Sequence, residues 1–226
     1  MQPEQIKVSI NETESVTALL YAADKKLRAG ITLILGHGAG AGQLSPFMVL
    51  FATELAKRGL DVITFNFGYM EQGRSAPDQK PKLEACYQAV IDMAAGNKKL
   101  KGNRLAIGGK SMGGRIASQV AAISKSDIAA LVFLGYPLHP PGKPDQLRDK
   151  HLKDVKAPML FIQGSRDAFG TPDELRPIIE KLKRTDILYE INGGDHSLKV
   201  PKTGGLTQHQ VYEGIWEKLT SWLAKG

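Results

Sequence analysis

Five short apolar runs punctuate the chain, each closing on glycine or a tight turn: Ile31–Leu35, Asp61–Phe67, Arg104–Gly108, Ala129–Gly135 and Pro158–Gln163. They are too short for helices, rich in branched residues and not alternating, which predicts strands buried on both faces. A sixth run, Asp186–Ile191, does alternate and predicts a strand nearer an edge. Segments 6–10 and 17–21 alternate as well and predict an antiparallel hairpin at one edge of the sheet. Helical spacing fills the intervals. Leu83, Cys86, Tyr87, Val90 and Ile91 form one apolar stripe, which makes Cys86 a core residue rather than a reactive thiol. Further helices are predicted over 46–58, 112–124, 171–183 and 207–224, the third opening with Thr171 as N-cap and Pro172 at its first position. Strand and helix alternate throughout, so a single α/β domain over residues 1–226 is expected, with a mostly parallel sheet and helices on both faces.

One connection departs from this rhythm. Between Tyr136 and Pro158 the chain carries Pro137, Pro140, Pro141 and Pro144, which forbids a long helix in its first half. So long a connection predicts a functional element beside a site, yet it is too short for a separate lid domain.

Composition narrows the class. With 226 residues, 42% of them hydrophobic and 23% charged, the chain is long enough to bury a core unaided. One cysteine excludes an intrachain disulfide and a thiolate zinc site. No apolar run reaches membrane-spanning length, and residues 1–10 lack a basic start followed by an apolar stretch, so a cytoplasmic protein is expected. The net charge of +7 is dispersed. Lys98, Lys99, Lys101, Lys181, Lys183 and Arg184 sit at predicted helix ends, where the dipole favours cations. No aromatic-rich basic motif accompanies them, so neither nucleic acid nor membrane is expected as a partner.

Ligands of an open parallel sheet gather at the carboxyl ends of the strands, and the chemistry lies there. After Arg104–Gly108 comes Gly109-Lys110-Ser111-Met112-Gly113, a G-x-S-x-G turn that follows a buried strand and opens a helix. A phosphate-binding P-loop would need glycine where Arg104 stands. Asp167 follows the fifth run and His196 follows the sixth. Ser111, Asp167 and His196 thus lie in the order nucleophile, acid, base, each just beyond a strand. Asp195, beside His196, is expected to face solvent, and His139, His151 and His209 to be surface or pocket residues. No histidine pair has metal-binding spacing, and no metal is expected.

After Ile31–Leu35 comes Gly36-His37-Gly38-Ala39-Gly40-Ala41-Gly42. Gly36, Gly38 and Ala41 match a dinucleotide fingerprint formally, but the next strand ends Phe65-Asn66-Phe67 without the acid that a ribose needs, so no cofactor is expected. The turn instead suits an oxyanion hole formed by the backbone N–H groups of Ala39 and Met112, with His37 a structural turn residue.

The segments GHGAG, GGKSMGGR, LGYPLHPPGKP, QGSRDAFG and GGDHSLK together resemble the small α/β-hydrolases of the dienelactone-hydrolase-like group. Within it they look closest to the branch containing the testis-expressed hydrolase-like protein and the hydrolase-like subunit of a chromatin acetyltransferase complex. The resemblance spans about residues 30–200 and implies the α/β-hydrolase fold with Ser111 as nucleophile, Asp167 as acid and His196 as base. It departs from dienelactone hydrolases proper, which carry cysteine where Ser111 stands. The expected function is a serine hydrolase of small carboxyl esters or thioesters, its partner a small-molecule acyl substrate. The alternative is a catalytically idle fold used for protein interaction. Tyr69, Met70 and Leu138 are expected to form a shallow apolar wall, which favours acyl chains of roughly two to six carbons.

Overall fold

The structure is a computed structural model that describes residues 2–182, 187–203 and 205–225. Among these residues eight strands form one sheet: β1 (Glu4–Ser9), β2 (Ser15–Tyr21), β3 (Ile31–Gly36), β4 (Asp61–Phe65), β5 (Arg104–Lys110), β6 (Ala130–Leu134), β7 (Met159–Gly164) and β8 (Ile187–Ile191). Their order is β1-β2-β4-β3-β5-β6-β7-β8. The β1–β2 and β2–β4 pairs are antiparallel, and every pair from β4 to β8 is parallel. The hairpin and the alternating sixth run therefore occupy the two edges. Lys183, Arg184 and Asp186 lie outside the described residues.

Among the described residues six α-helices flank the sheet: α1 (Pro46–Lys57), α2 (Gly68–Glu71), α3 (Lys80–Gly96), α4 (Met112–Ile123), α5 (Pro172–Leu182) and α6 (Gln208–Lys225). The central strands are apolar at successive positions because both of their faces are covered. Leu33 and Leu35 point to a core shared with Phe51 of α1 and Trp216 of α6. Ile34 points to the opposite core, with Tyr87 of α3 and Ile116 of α4. Each fully buried side chain of this size contributes about 1.5–3 kcal/mol. Cys86 is 1% exposed in the second core, and burial pushes its thiol up to about 12. The start of α5 is a reciprocal cap. Glu174 Oε2 accepts from the Thr171 N–H at 2.7 Å, and Thr171 Oγ1 accepts from the Glu174 N–H at 3.4 Å.

Two local differences from the sequence reading bear on the site. The fourth strand stops at Phe65 rather than Phe67, because the Phe67 N–H leaves the ladder and donates to His37 Nε2 at 3.1 Å. The chain then makes the single turn α2, so Tyr69 and Met70 are helical rather than in a loop. The proline-rich connection forms a rim with one short 3₁₀ turn at Leu152–Asp154. Tyr136, Leu138 and Leu152 are fully buried in the core of the α3–α4 face, so the rim shares the domain's core. No helix among the described residues is long and apolar enough to cross a membrane.

Candidate active site

Ser111 sits between β5 and α4 with φ 50° and ψ −115°, a left-handed conformation rare for a residue with a side chain. The strain is enforced by packing. A Cβ on Gly113 would lie 2.1 Å from the Gly36 carbonyl oxygen, so only glycine lets α4 start this close to the end of β3. Serine is thereby lifted off the sheet where its hydroxyl is accessible.

The turns after β7 and β8 are drawn together in the same manner. A Cβ on Gly164 would stand 2.3 Å from the Gly194 carbonyl oxygen. Across this approach the Ser165 N–H donates to Ile191 O at 3.0 Å, and the Arg166 N–H to Gly194 O at 2.8 Å. Asp167 and His196 meet as a result. The imidazole Nδ1 lies 2.9 Å from Asp167 Oδ1 and 2.8 Å from Oδ2, while Nε2 lies 2.8 Å from Ser111 Oγ. With Nδ1 donating to the carboxylate, Nε2 is left as the acceptor that the serine hydroxyl needs.

Several supporting residues were not singled out from the sequence. Asp167, 2% exposed, also accepts from Gln163 Nε2 and from the Phe169 N–H, each at 2.8 Å. Gln163 in turn accepts from the Tyr136 N–H at 2.8 Å, tying the acid to the start of the rim. Its only sequence signal is a polar residue closing an apolar strand. The Phe169 ring stacks on His196 with centroids 4.1 Å apart. Lys110 Nζ donates to the His196 carbonyl, and burial lowers it to about 8 against the opposing pull of Asp167 and Asp195.

Ala39 and Met112 both border the cavity at Ser111. The Ala39 loop is anchored from below, where Tyr69 Oη donates to the Ala39 carbonyl at 2.9 Å. His37 is fully buried and bridges Gly38 O at 2.7 Å and the Phe67 N–H, so it is a turn residue as expected. The expected apolar wall needs correction. Tyr69 and Leu138 are fully buried in the core, and Met70 packs over Gly42. The wall comes from Phe47, Met48 and Leu50 of α1 and Tyr212 of α6, around a cavity of about 660 Å³ that contains Ser111 and His196. A helix stripe is read from sequence as core, so its overhang past the sheet end carried no signal.

The other candidates lie elsewhere. Asp195 is exposed and accepts from the Ser197 and Lys199 N–H groups at 2.7 and 2.9 Å. His139 is 5% exposed, not a surface residue, and lies 3.2 Å from Glu174. His151 Nε2 is 2.7 Å from Ser118 Oγ, and His209 is exposed on α6. Among the described residues no cluster has the composition of a metal site.

The model of the alpha/beta hydrolase domain family matches residues 29–224, and the chain belongs to that family. Solved structures with the same fold include an alpha-beta serine hydrolase homologue from Coxiella burnetii, with TM-score 0.71 and 16% identity, covering 100% of this chain and 97% of that one. A Xanthomonas campestris serine hydrolase described as lacking a lid gives 0.73 and 16%, covering 99% and 92%. A dienelactone hydrolase from Anabaena variabilis gives 0.73 and 21%, covering 98% and 97%.

Proposed function

We propose that this protein is a serine hydrolase that cleaves small carboxyl esters or thioesters. The observation that carries the reading is the unbroken chain from Ser111 Oγ through His196 to Asp167, each link 2.8–2.9 Å. In this mechanism Ser111 Oγ attacks the carbonyl carbon as His196 Nε2 takes its proton. Asp167 holds the tautomer and stabilises the imidazolium. The oxyanion that forms is met by the backbone N–H groups of Ala39 and Met112. His196 then gives the proton to the leaving oxygen or sulfur, and water repeats the sequence to free the acid. The motifs GHGAG, GGKSMGGR and GGDHSLK, which resemble the testis-expressed and chromatin-complex branch of the dienelactone-hydrolase-like group, support a proposed place in that branch.

A fluorophosphonate probe tests this reading. Labelling is expected at Ser111 and is abolished in Ser111→Ala, and Asp167→Asn is expected to lose roughly 10³–10⁴ in turnover by favouring the wrong tautomer. Undiminished labelling of Ser111→Ala overturns the assignment, and an unlabelled wild type leaves the idle interaction fold.

A further inference from the structure

Two cavities meet at Ser111 and differ in character. Ala39, Ser111 and Phe169 border both. The larger, apolar one is faced by His196. The smaller, of about 280 Å³, is bordered instead by Met112 and by three cations and one carboxylate, Lys80, Arg115, Arg148 and Asp78.

Arg115 lies one helical turn beyond Ser111 on α4. Its Nε is buried without a hydrogen-bond partner among the described residues. Burial foremost, and then the charge of Arg148, hold its guanidinium below the ordinary arginine range against the smaller opposing pull of Tyr136 and Glu84. Arg148 Nη1 reaches the Pro137 carbonyl at 3.4 Å, a long contact. The carboxylates nearby are engaged by other cations: Asp78 by Arg74 at 2.6 Å and Glu84 by Lys80 at 3.0 Å. Two guanidinium groups that repel one another, one with a desolvated N–H that no atom of the described residues meets, give this cavity a preference for negative charge. A bound oxyanion satisfies both, and the planar guanidinium fork matches a carboxylate.

We propose that the smaller cavity is the acyl subsite, and that the substrates are esters or thioesters whose acyl part ends in a carboxylate held by Arg115 and Arg148. The direction follows from the proton route and so rests on the proposed role of Ser111. The leaving atom must receive its proton from His196 Nε2, so the leaving group occupies the apolar cavity that His196 faces. The other substituent of the carbonyl carbon then points past Met112 toward Arg115. As the Ser111 Oγ–carbon bond forms and the bond to the leaving atom breaks, the dicarboxylic half-ester becomes an acyl-enzyme. Water releases it as the dicarboxylate. One helical turn, ~5.4 Å, separates the two side-chain origins, which suits about two to four methylenes between the carbonyls.

The test compares monobenzyl glutarate with benzyl glutaramate, its neutral isostere. Wild type is expected to favour the acid by about 10–100-fold in kcat/KM, and Arg115→Gln and Arg148→Gln each to shrink that ratio toward one. A wild-type ratio of one or below overturns the proposal, while turnover of the amide and probe labelling keep the hydrolase reading standing. That ratio needs no variant, so it decides the matter even if Arg115→Gln fails to fold. If neither ester turns over and Ser111 is not labelled, the hydrolase reading falls. Calorimetry on Ser111→Ala then judges the anion site alone: tighter binding of the acid than of the amide supports it, and equal binding sinks it.

Discussion

The elbow around Ser111 is held by backbone packed against backbone, whereas the rim of residues 136–158 adds side-chain ties to a few backbone bonds such as His139 N–H to Phe169 O at 3.0 Å. At the elbow, α4 starts against the Gly36 carbonyl with no room for a methyl group on Gly113. On the rim, Tyr136 Oη donates to Arg148 O at 2.7 Å, His151 meets Ser118 at 2.7 Å, and His139 meets Glu174 at 3.2 Å. Backbone contact has no slack, so the elbow exists in one geometry or fails. Side-chain ties are separable, each contributing about 0.5–1.5 kcal/mol. On the proposed reading, the rim can therefore be retuned for a different acyl group while Ser111 stays in place.

The contrast is broken most directly at Gly113. Gly113→Ala is expected to destabilise the fold by more than about 4 kcal/mol, because the new carbon collides with backbone that cannot swing away. Denaturant melts check this, and a wild-type midpoint would show that the elbow has slack after all.

An intermediate effect is expected at Lys110, which links the elbow to the His196 loop. Its ammonium discharges at about 8 in the folded protein against 10.5 ordinarily. Above pH 8 the hold on the His196 carbonyl weakens, and turnover should fall about tenfold through an apparent pKa near 8. Stability moves the other way. Between pH 8 and 10.5 the unfolded chain binds more protons at this site, so the contribution of Lys110 to stability rises with pH. Lys110→Met should erase both trends; a variant that keeps the alkaline limb in its pH–rate profile assigns that limb elsewhere.

The smallest effect sharpens the rim side. Tyr136→Phe leaves the Arg148 carbonyl without its donor and should cost about 1 kcal/mol by thermal melting. Probe labelling of Ser111 should persist at the wild-type rate. Loss of labelling would mean that rim and elbow are coupled through Gln163.

What could be read from the chain follows the same division. The strands and the stripe from Leu83 to Ile91 were legible because periodicity reports which faces are covered. Ser111, Asp167 and His196 were placed at strand ends because glycines and polar residues interrupt apolar runs there. The triad geometry needs little more than those termini, since parallel strands bring them to one edge. The cavity walls were not legible. Tyr69 was expected in the loop after Asp61–Phe67 as part of a shallow apolar wall, but the Phe67 N–H bonds His37 and the chain turns into α2, carrying Tyr69 inward. Phe47 and Leu50 lie in a stretch whose spacing predicts only a helix over 46–58. Arg115 was hidden for a similar reason, since one arginine on a helix carries no sign of which neighbours neutralise it.

The order of strands also sets when the site is completed. Ser111 follows β5 near the middle of the chain, while His196 follows β8, two strands beyond β6 in the sheet and 85 residues later in sequence. During synthesis the elbow emerges and can dock on β3 well before any imidazole is within reach. On the proposed mechanism, a nascent or truncated chain that ends before β8 therefore presents Ser111 with no base, inert toward acyl compounds around it. Only when the β7 and β8 turns close on one another does the hydroxyl acquire its partner, so competence arrives with the last of the sheet and not before.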